Sequence, residues 1–311
     1  MKKIIIFIVL NLISGFSFSQ GINSMNVSQN NNITDQDIYA EYSKYMHEMN
    51  ANDLESSDLV EYNMGEIIVS TAKFFIGTSY VANTLDITNS NENPELLIVN
   101  LHEMDCMTFV DNVLALVLDR KSLYKSETDV QDIKRPSYDN FKNKLKSIRY
   151  RKSVVSYTAR LHYGIDWCKE AVKNGYLKDI SKELGILYPH KINFMSSHIN
   201  NYKTLKNHPE FIKDIIKVEK DLNNDDVYYV PKSNIDSIVN EIQDGDILAL
   251  TTDIIGLDVS HFVIAYWQDD ILKYIHCSLS KRMVTVSNQS LKHKLYLNPH
   301  TTGFIIMRLN K

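Results

Sequence analysis

Three residues of this chain have the types and positions needed for covalent and proton-transfer chemistry: a cysteine in DCMTFVDNVLALVL and two histidines in SHFVIAYW and LKYIHCSL. Cys106 follows Asp105, a residue suited to cap a helix, and precedes the apolar stripe Phe109, Val110, Val113, Leu114 and Val117. The spacing predicts a helix within 101–118 with the cysteine in its first turn. There the positive end of the macrodipole and the unpaired N–H groups favour thiolate over thiol, and the same N–H groups can hold an oxyanion.

His261 and His276 fall in two apolar runs that read as consecutive strands. A two-residue loop at Gln268 and Asp269 would pair Trp267 with Asp270 and set His261 directly opposite His276, with Cβ atoms about 4.5–5.5 Å apart. A four-residue loop from Gln268 would leave the imidazoles diagonal on one face. A three-residue loop would turn Cys277 toward His261, because a one-residue slip exchanges faces. In the first two registers one imidazole can orient the other, so that His261 serves as general base to a Cys106 nucleophile and His276 as third member.

A zinc site built from His261, His276 and Asp105 or His102 is the competing chemistry. No HExxH or CxxC spacing supports it, and a helix-start cysteine is an awkward ligand for a catalytic metal. The expectation is therefore a site without metal or cofactor.

The elements that must position these residues divide the chain. Helical periodicity dominates from Gln36 to Val81, with candidate helices through Ile38, Tyr42 and Met46 and through Met64, Ile67, Ile68, Ala72 and Phe75, the second ending at Gly77. Residues 129–240 carry further helical segments near 137–150 and 209–222 and little β alternation. From 244 onward, DGDILALTT, SHFVIAYW, LKYIHCSL, RMVTVS and GFIIMRL are short apolar runs separated by turn residues, which predicts an antiparallel sheet. Helices followed by strands imply an α+β fold, with the nucleophile helix packed on a C-terminal antiparallel sheet.

Composition sets outer bounds. The 311 residues, 44% hydrophobic and 23% charged, suffice for a full core. A net charge of -4 with no basic stripe argues against a nucleic-acid partner. Two lysines, an apolar run from Ile4 to Ile13 and small residues at Ser17 and Ser19 read as a signal peptide over 1–19, too short to span a bilayer. Residues 20–35 read as a flexible leader, leaving 36–311 as one domain, exported to the periplasm or outside the cell, without a membrane anchor after cleavage. Three cysteines are too few for a disulfide framework and leave at least one thiol unpaired.

The order GTSY (77–80), DCMTFVDNVLAL (105–116), SHFVIAYW (260–267) and HCSLS (276–280) resembles the NlpC/P60 superfamily of cell-wall cysteine hydrolases. RLHYGIDW (160–167), NFMSSHINNY (193–202), YYVPKSNI (228–235) and DGDILALTTDIIGLDVSH (244–261) are similar more narrowly to its DUF1460 branch. The resemblance runs collinearly from Met64 to Leu309. It implies a papain-like core with a helical insertion at about 129–240 and hydrolysis of the N-acetylmuramoyl-L-alanine amide of peptidoglycan or muropeptides; separately from the resemblance, a monomer is expected. The γ-D-glutamyl-diamino acid bond of the stem peptide is the alternative scissile bond, and a non-catalytic wall-binding protein is a reading of another class. By the same resemblance Cys106, His261 and His276 are the catalytic residues. Tyr80, Asp105, Arg160, His162, Tyr163, Ser197 and His198 fall in cleft motifs, with Arg160 suited to a stem-peptide carboxylate. The chain departs from the pattern at Cys277, where a small residue is usual. That thiol is expected to point away from His261.

Overall fold

The computed structural model describes residues 33–54, 63–86, 95–121 and 136–310. The expected signal peptide and residues 20–32 of the leader lie outside them. The first helix, α1 (Asp35–Leu54), opens where the Thr34 hydroxyl donates to the Asp37 carboxylate at 2.7 Å. Ile38, Tyr42 and Met46 recur on its buried face. Helix α2 (Met64–Phe74) is capped by Asn63, whose side chain accepts the Gly65 N–H at 3.0 Å, and buries Ile67, Ile68 and Ala72.

Two short strands follow, β1 (Ser79–Tyr80) and β2 (Glu103–Met104), then the central helix α3 (Cys106–Arg120). The middle of the chain holds α4 (Tyr138–Arg149) and α5 (Gly164–Lys173), with strand β3 (Leu177–Asp179), the single turn α6 (Ser181–Leu184) and strand β4 (Ile186–Leu187). It continues through the short helices α7 (Phe194–Ser197) and α8 (Lys203–Asn207), the longer α9 (Ile212–Asn223), strand β5 (Tyr228–Pro231) and α10 (Ile235–Ile238). This region is therefore not helical throughout: strands of two to four residues are too short to show alternation in sequence, and they are recruited by neighbours already in the sheet.

The C-terminal strands are β6 (Ile247–Thr252), β7 (Val259–Gln268), β8 (Ile271–Ser278), β9 (Met283–Val286) and β10 (Thr301–Leu309). A helix not expected from the sequence, α11 (Leu291–Leu297), crosses between the last two, capped by the Ser290 hydroxyl. The sheet order is β2-β1-β9-β8-β7-β6-β10-β5-β4, with β3 also on β10. Among the described strands, β1 and β2 are the one pair that runs parallel.

Side chains alternate across this sheet. Phe262, Ile264, Ile275 and Cys277 enter one core with the α3 stripe, whereas Val263, Ala265, Leu272 and Tyr274 enter a second beneath Leu291 and Leu295 of α11. Inside the first core, Asp111 of α3 accepts from Arg149 Nε at 2.9 Å and from Trp167 Nε1 at 3.0 Å. This buried carboxylate thereby ties α3 to α4 and α5.

The β7–β8 hairpin turns through Asp269 and Asp270, with φ of 52° and 59°. Two left-handed residues are the signature of a type I′ turn, whose twist matches the strands it joins. Gln268 pairs with Ile271 and Trp267 with Leu272. The register expected first, Trp267 with Asp270, is thus displaced by two residues, because the turn is made one residue later. The displacement preserves facing, and the two histidines are diagonal rather than opposed.

Candidate active site

Asp105 caps α3 as its sequence suggests. Its Oδ1 accepts the N–H groups of Met107 at 3.0 Å and Thr108 at 2.8 Å, and Thr108 Oγ1 in return accepts the Asp105 N–H at 2.8 Å. The reciprocal pair is a capping box with threonine in place of the usual acid or amide. Two of the first-turn donors are consumed by the cap. The Cys106 N–H remains directed at the cysteine's own sulfur.

A second backbone donor reaches that sulfur from the sheet. Ala265 directs its backbone toward the β6 side, donating to Asp246 O at 2.8 Å and accepting from Gly245 N at 3.0 Å. By alternation Phe262 directs its N–H toward β8, yet the β7–β8 ladder stops at Ile264 and Ile275. The freed Phe262 N–H is turned toward the Cys106 thiol and opposes the rise in its pKa, so the residue next to His261 steadies the nucleophile candidate.

The imidazoles meet across the same opening. His261 Nε2 lies 2.8 Å from His276 Nδ1, with the ring planes at 88°. Tyr274 packs edge-on against His276 at 4.9 Å between centroids. With Nε2 of His261 engaged, its Nδ1 is the nitrogen left for proton transfer. That assignment requires His261 to donate through Nε2–H to an unprotonated His276 Nδ1.

Electrostatics set the resting protonation. Burial, then the Asp105 carboxylate, push the Cys106 thiol up to about 12, against the opposing N–H groups of Phe262, Cys106 and Met107. Burial, His276 and Lys294 hold His261 well below the ordinary histidine range, and burial with Lys294 brings His276 down to about 4. The Cys106 thiol and both imidazoles are therefore neutral at pH 7. Tyr80 stands close enough for the charges of Cys106 and Asp105, after burial, to raise its phenol. Cys277 faces the other core, its Sγ 3.1 Å from the Met104 carbonyl.

The remaining candidates from sequence form a second group. Arg160 is buried, with its guanidinium 3.0 Å from Asp86 and 3.2 Å from Glu95. Its charge is thus answered within the protein, which departs from the expectation of an open fork for a ligand carboxylate. His162 Nε2 bonds the Tyr157 carbonyl at 2.8 Å, and burial beside Arg160 lowers it to about 3. Tyr163 donates to Glu219 at 2.7 Å and accepts the Met195 N–H at 2.8 Å. Ser197 and His198 are exposed, the latter stacked on Phe194 at 4.2 Å. Both segments lean on the loop that leads into His261. Phe194 N–H bonds the Gly256 carbonyl at 2.9 Å, and Ile165 N–H bonds the buried Asp258 carboxylate at 2.7 Å.

Lys294 is the site residue that sequence reasoning missed. A capping serine at 290 followed by leucines at 291 and 295 was the available signal for its helix. Nothing local indicated that the helix would fold back over the histidines.

Fold and site together define an α+β protein with a helix-start thiol beside a hydrogen-bonded imidazole pair. The chain belongs to the AmiA-like family, described as N-acetylmuramoyl-L-alanine amidase-like, which matches residues 70–302. A solved N-acetylmuramoyl-L-alanine amidase from Bacteroides uniformis is 35% identical, with a TM-score of 0.71 over 80% of this chain and 99% of that one. A protein from Bacteroides fragilis described as a putative xylanase is 34% identical, with a TM-score of 0.68 over 77% of this chain and 99% of that one. A Legionella pneumophila protein assigned to DUF1460 is 22% identical, covers 88% of this chain and 94% of its own, and has a TM-score of 0.63, a likeness of fold. No curated protein matches the chain.

Proposed function

We propose that this protein is an exported cysteine amidase that cleaves the N-acetylmuramoyl-L-alanine bond of peptidoglycan or its fragments, on a papain-like NlpC/P60 core. The reading is carried by the bond between His261 Nε2 and His276 Nδ1 beside a thiol seated on the Phe262 N–H. Family membership and the similar amidase structure support the choice of bond.

In this mechanism His261 Nδ1 takes the Cys106 proton as sulfur attacks the lactyl carbonyl. The resting thiol ionises only as the S–C bond forms, since burial disfavours a free thiolate. The Cys106 N–H and the Tyr80 hydroxyl supply the oxyanion donors, the other first-turn N–H groups being held by Asp105. His261 then protonates the departing L-alanine nitrogen as the C–N bond breaks. Water attacks the thioester, His261 accepts its proton, and the thiol is regenerated. His276 keeps His261 in the tautomer that makes this traffic possible.

Digestion of defined muropeptides followed by mass spectrometry tests the proposal. Release of stem peptide with a free L-alanine amine, absent in Cys106→Ala, is the expected result. Cleavage within the stem peptide would move the assignment to the γ-D-glutamyl bond, and unimpaired activity of Cys106→Ala would remove the nucleophile.

A further inference from the structure

The sheet-facing side of α11 carries one residue that does not belong to a core. Leu291, Lys294 and Leu295 share a face at i, i+3 and i+4, and the two leucines pack with Leu272 and Tyr274 of β8. His276 projects from the same side of β8 as these two residues and touches the Tyr274 ring. Lys294 is thereby carried, half-buried, over the face from which both histidines emerge.

Its charge is felt by each member of the site. Lys294 acts on His261 and on His276, and Cys106 acts in turn on Lys294. Among the described residues no carboxylate answers this ammonium, whereas Lys292, two residues away, is paired with Asp236 at 2.7 Å. Asp105, the nearest acid to the thiol, has its Oδ1 committed to the α3 cap. Arg160 is matched by Asp86 and Glu95. An uncompensated cation kept partly out of water beside a nucleophile lacks its anion, and a ligand can bring one.

We propose that Lys294 is a specificity-determining residue that selects substrates bearing a carboxylate close to the scissile amide, on the side of the cleft covered by α11. For the reaction proposed above, this is a stem-peptide carboxylate. The inference rests on Cys106 being the nucleophile, and the test separates the two.

Alkylation of Cys106 by iodoacetate and by iodoacetamide provides a minimal substrate pair that differs in a carboxylate. In both reactions sulfur forms the S–C bond, iodide leaves, and the thiol proton is lost to base. Cys168 and Cys277 are buried, so the accessible thiol is Cys106. Peptide mass analysis follows the site of modification. The iodoacetate-to-iodoacetamide rate ratio is expected to exceed that of a small free thiol by about five-fold or more and to shrink with added salt, as an ammonium within Coulombic reach of the thiol requires. Lys294→Gln should bring the ratio to the free-thiol value, and Lys294→Arg should retain it. With carboxylate-bearing and amidated muropeptides, Lys294→Gln should raise KM several-fold more for the acidic substrate than for the amidated one, whatever common change in kcat follows from its effect on the histidines. A wild-type ratio equal to that of the free thiol overturns the inference without any variant, as does an unchanged ratio in a folded Lys294→Gln. Should Cys106 resist both reagents while Cys106→Ala remains active, the nucleophile assignment falls and this inference with it.

Discussion

His261 and His276 are joined by a 2.8 Å contact between Nε2 of the first and Nδ1 of the second, across strands that have already stopped pairing. The contact decides which nitrogen of His261 is free. Under the proposed mechanism His276 is a positioning residue, whose removal should damage turnover more than binding. His276→Ala is expected to lower kcat on the order of 100-fold with KM nearly unchanged, and His276→Asn or His276→Gln to recover part of the loss. Steady-state kinetics on a soluble muropeptide check this. A large KM effect with kcat intact would assign His276 to substrate binding instead.

The depressed basicity of His261 predicts the acid limb of activity. Burial, His276 and Lys294 all disfavour its imidazolium. The base form therefore persists below the ordinary histidine value of about 6.5, and kcat/KM should hold into mildly acidic solution. A profile whose acid limb falls at or above that value would contradict the arrangement.

The same burial makes stability depend on pH. His276 titrates near 4 when folded against 6.5 in its unperturbed state. Between these values the unfolded chain binds the extra proton, so this contribution is fully present above 6.5 and is lost as pH falls through 4. The loss is on the order of 3 kcal/mol for the one histidine, with His162 acting in the same direction. Urea unfolding at pH 7 and pH 4.5 should show the drop, and His276→Gln should reduce it.

Asp111→Ala should be among the most destabilising single changes in the protein. It would strand the buried Arg149 guanidinium and the Trp167 N–H at once. Breaking a buried ion pair from one side costs about 3–5 kcal/mol. Calorimetric or denaturant unfolding measures it, and a cost below about 1 kcal/mol would mean that solvent replaces the lost carboxylate.

The hairpin turn offers a change in the other direction. Asp269 and Asp270 both occupy left-handed backbone, which Asn-Gly adopts with less strain. Replacing the pair by Asn-Gly should stabilise the fold by about 0.5–1 kcal/mol and leave the histidine contact intact. A loss of activity in that variant would show that the register depends on the aspartates.

Much of the framework was legible in advance because it is local. The Asp105 cap, the stripe of α3 and the C-terminal strands declare themselves within a few residues, through capping preference and the 3.6- and 2-residue periods. The short strands β3, β4 and β5 were illegible, since a two- or three-residue segment has no period and becomes a strand only by docking on an existing edge. Arg160 was legible as a cation but not as a satisfied one, because Asp86 and Glu95 lie more than sixty residues away along the chain.

The sequence by itself determined that Cys106 opens a helix and that His261 and His276 fall in neighbouring strands, with side chains on one face in two of the three hairpin registers it allowed. Those properties follow from backbone propensity and strict alternation, and they survive the two-residue displacement of the hairpin. Tertiary structure alone decided that the β7–β8 ladder ends early enough to lend the Phe262 N–H to the thiol. It alone brought Lys294 over the histidines on a helix that follows them in the chain. Ladder termination and charge compensation depend on groups far apart in sequence, and only packing brings them within reach.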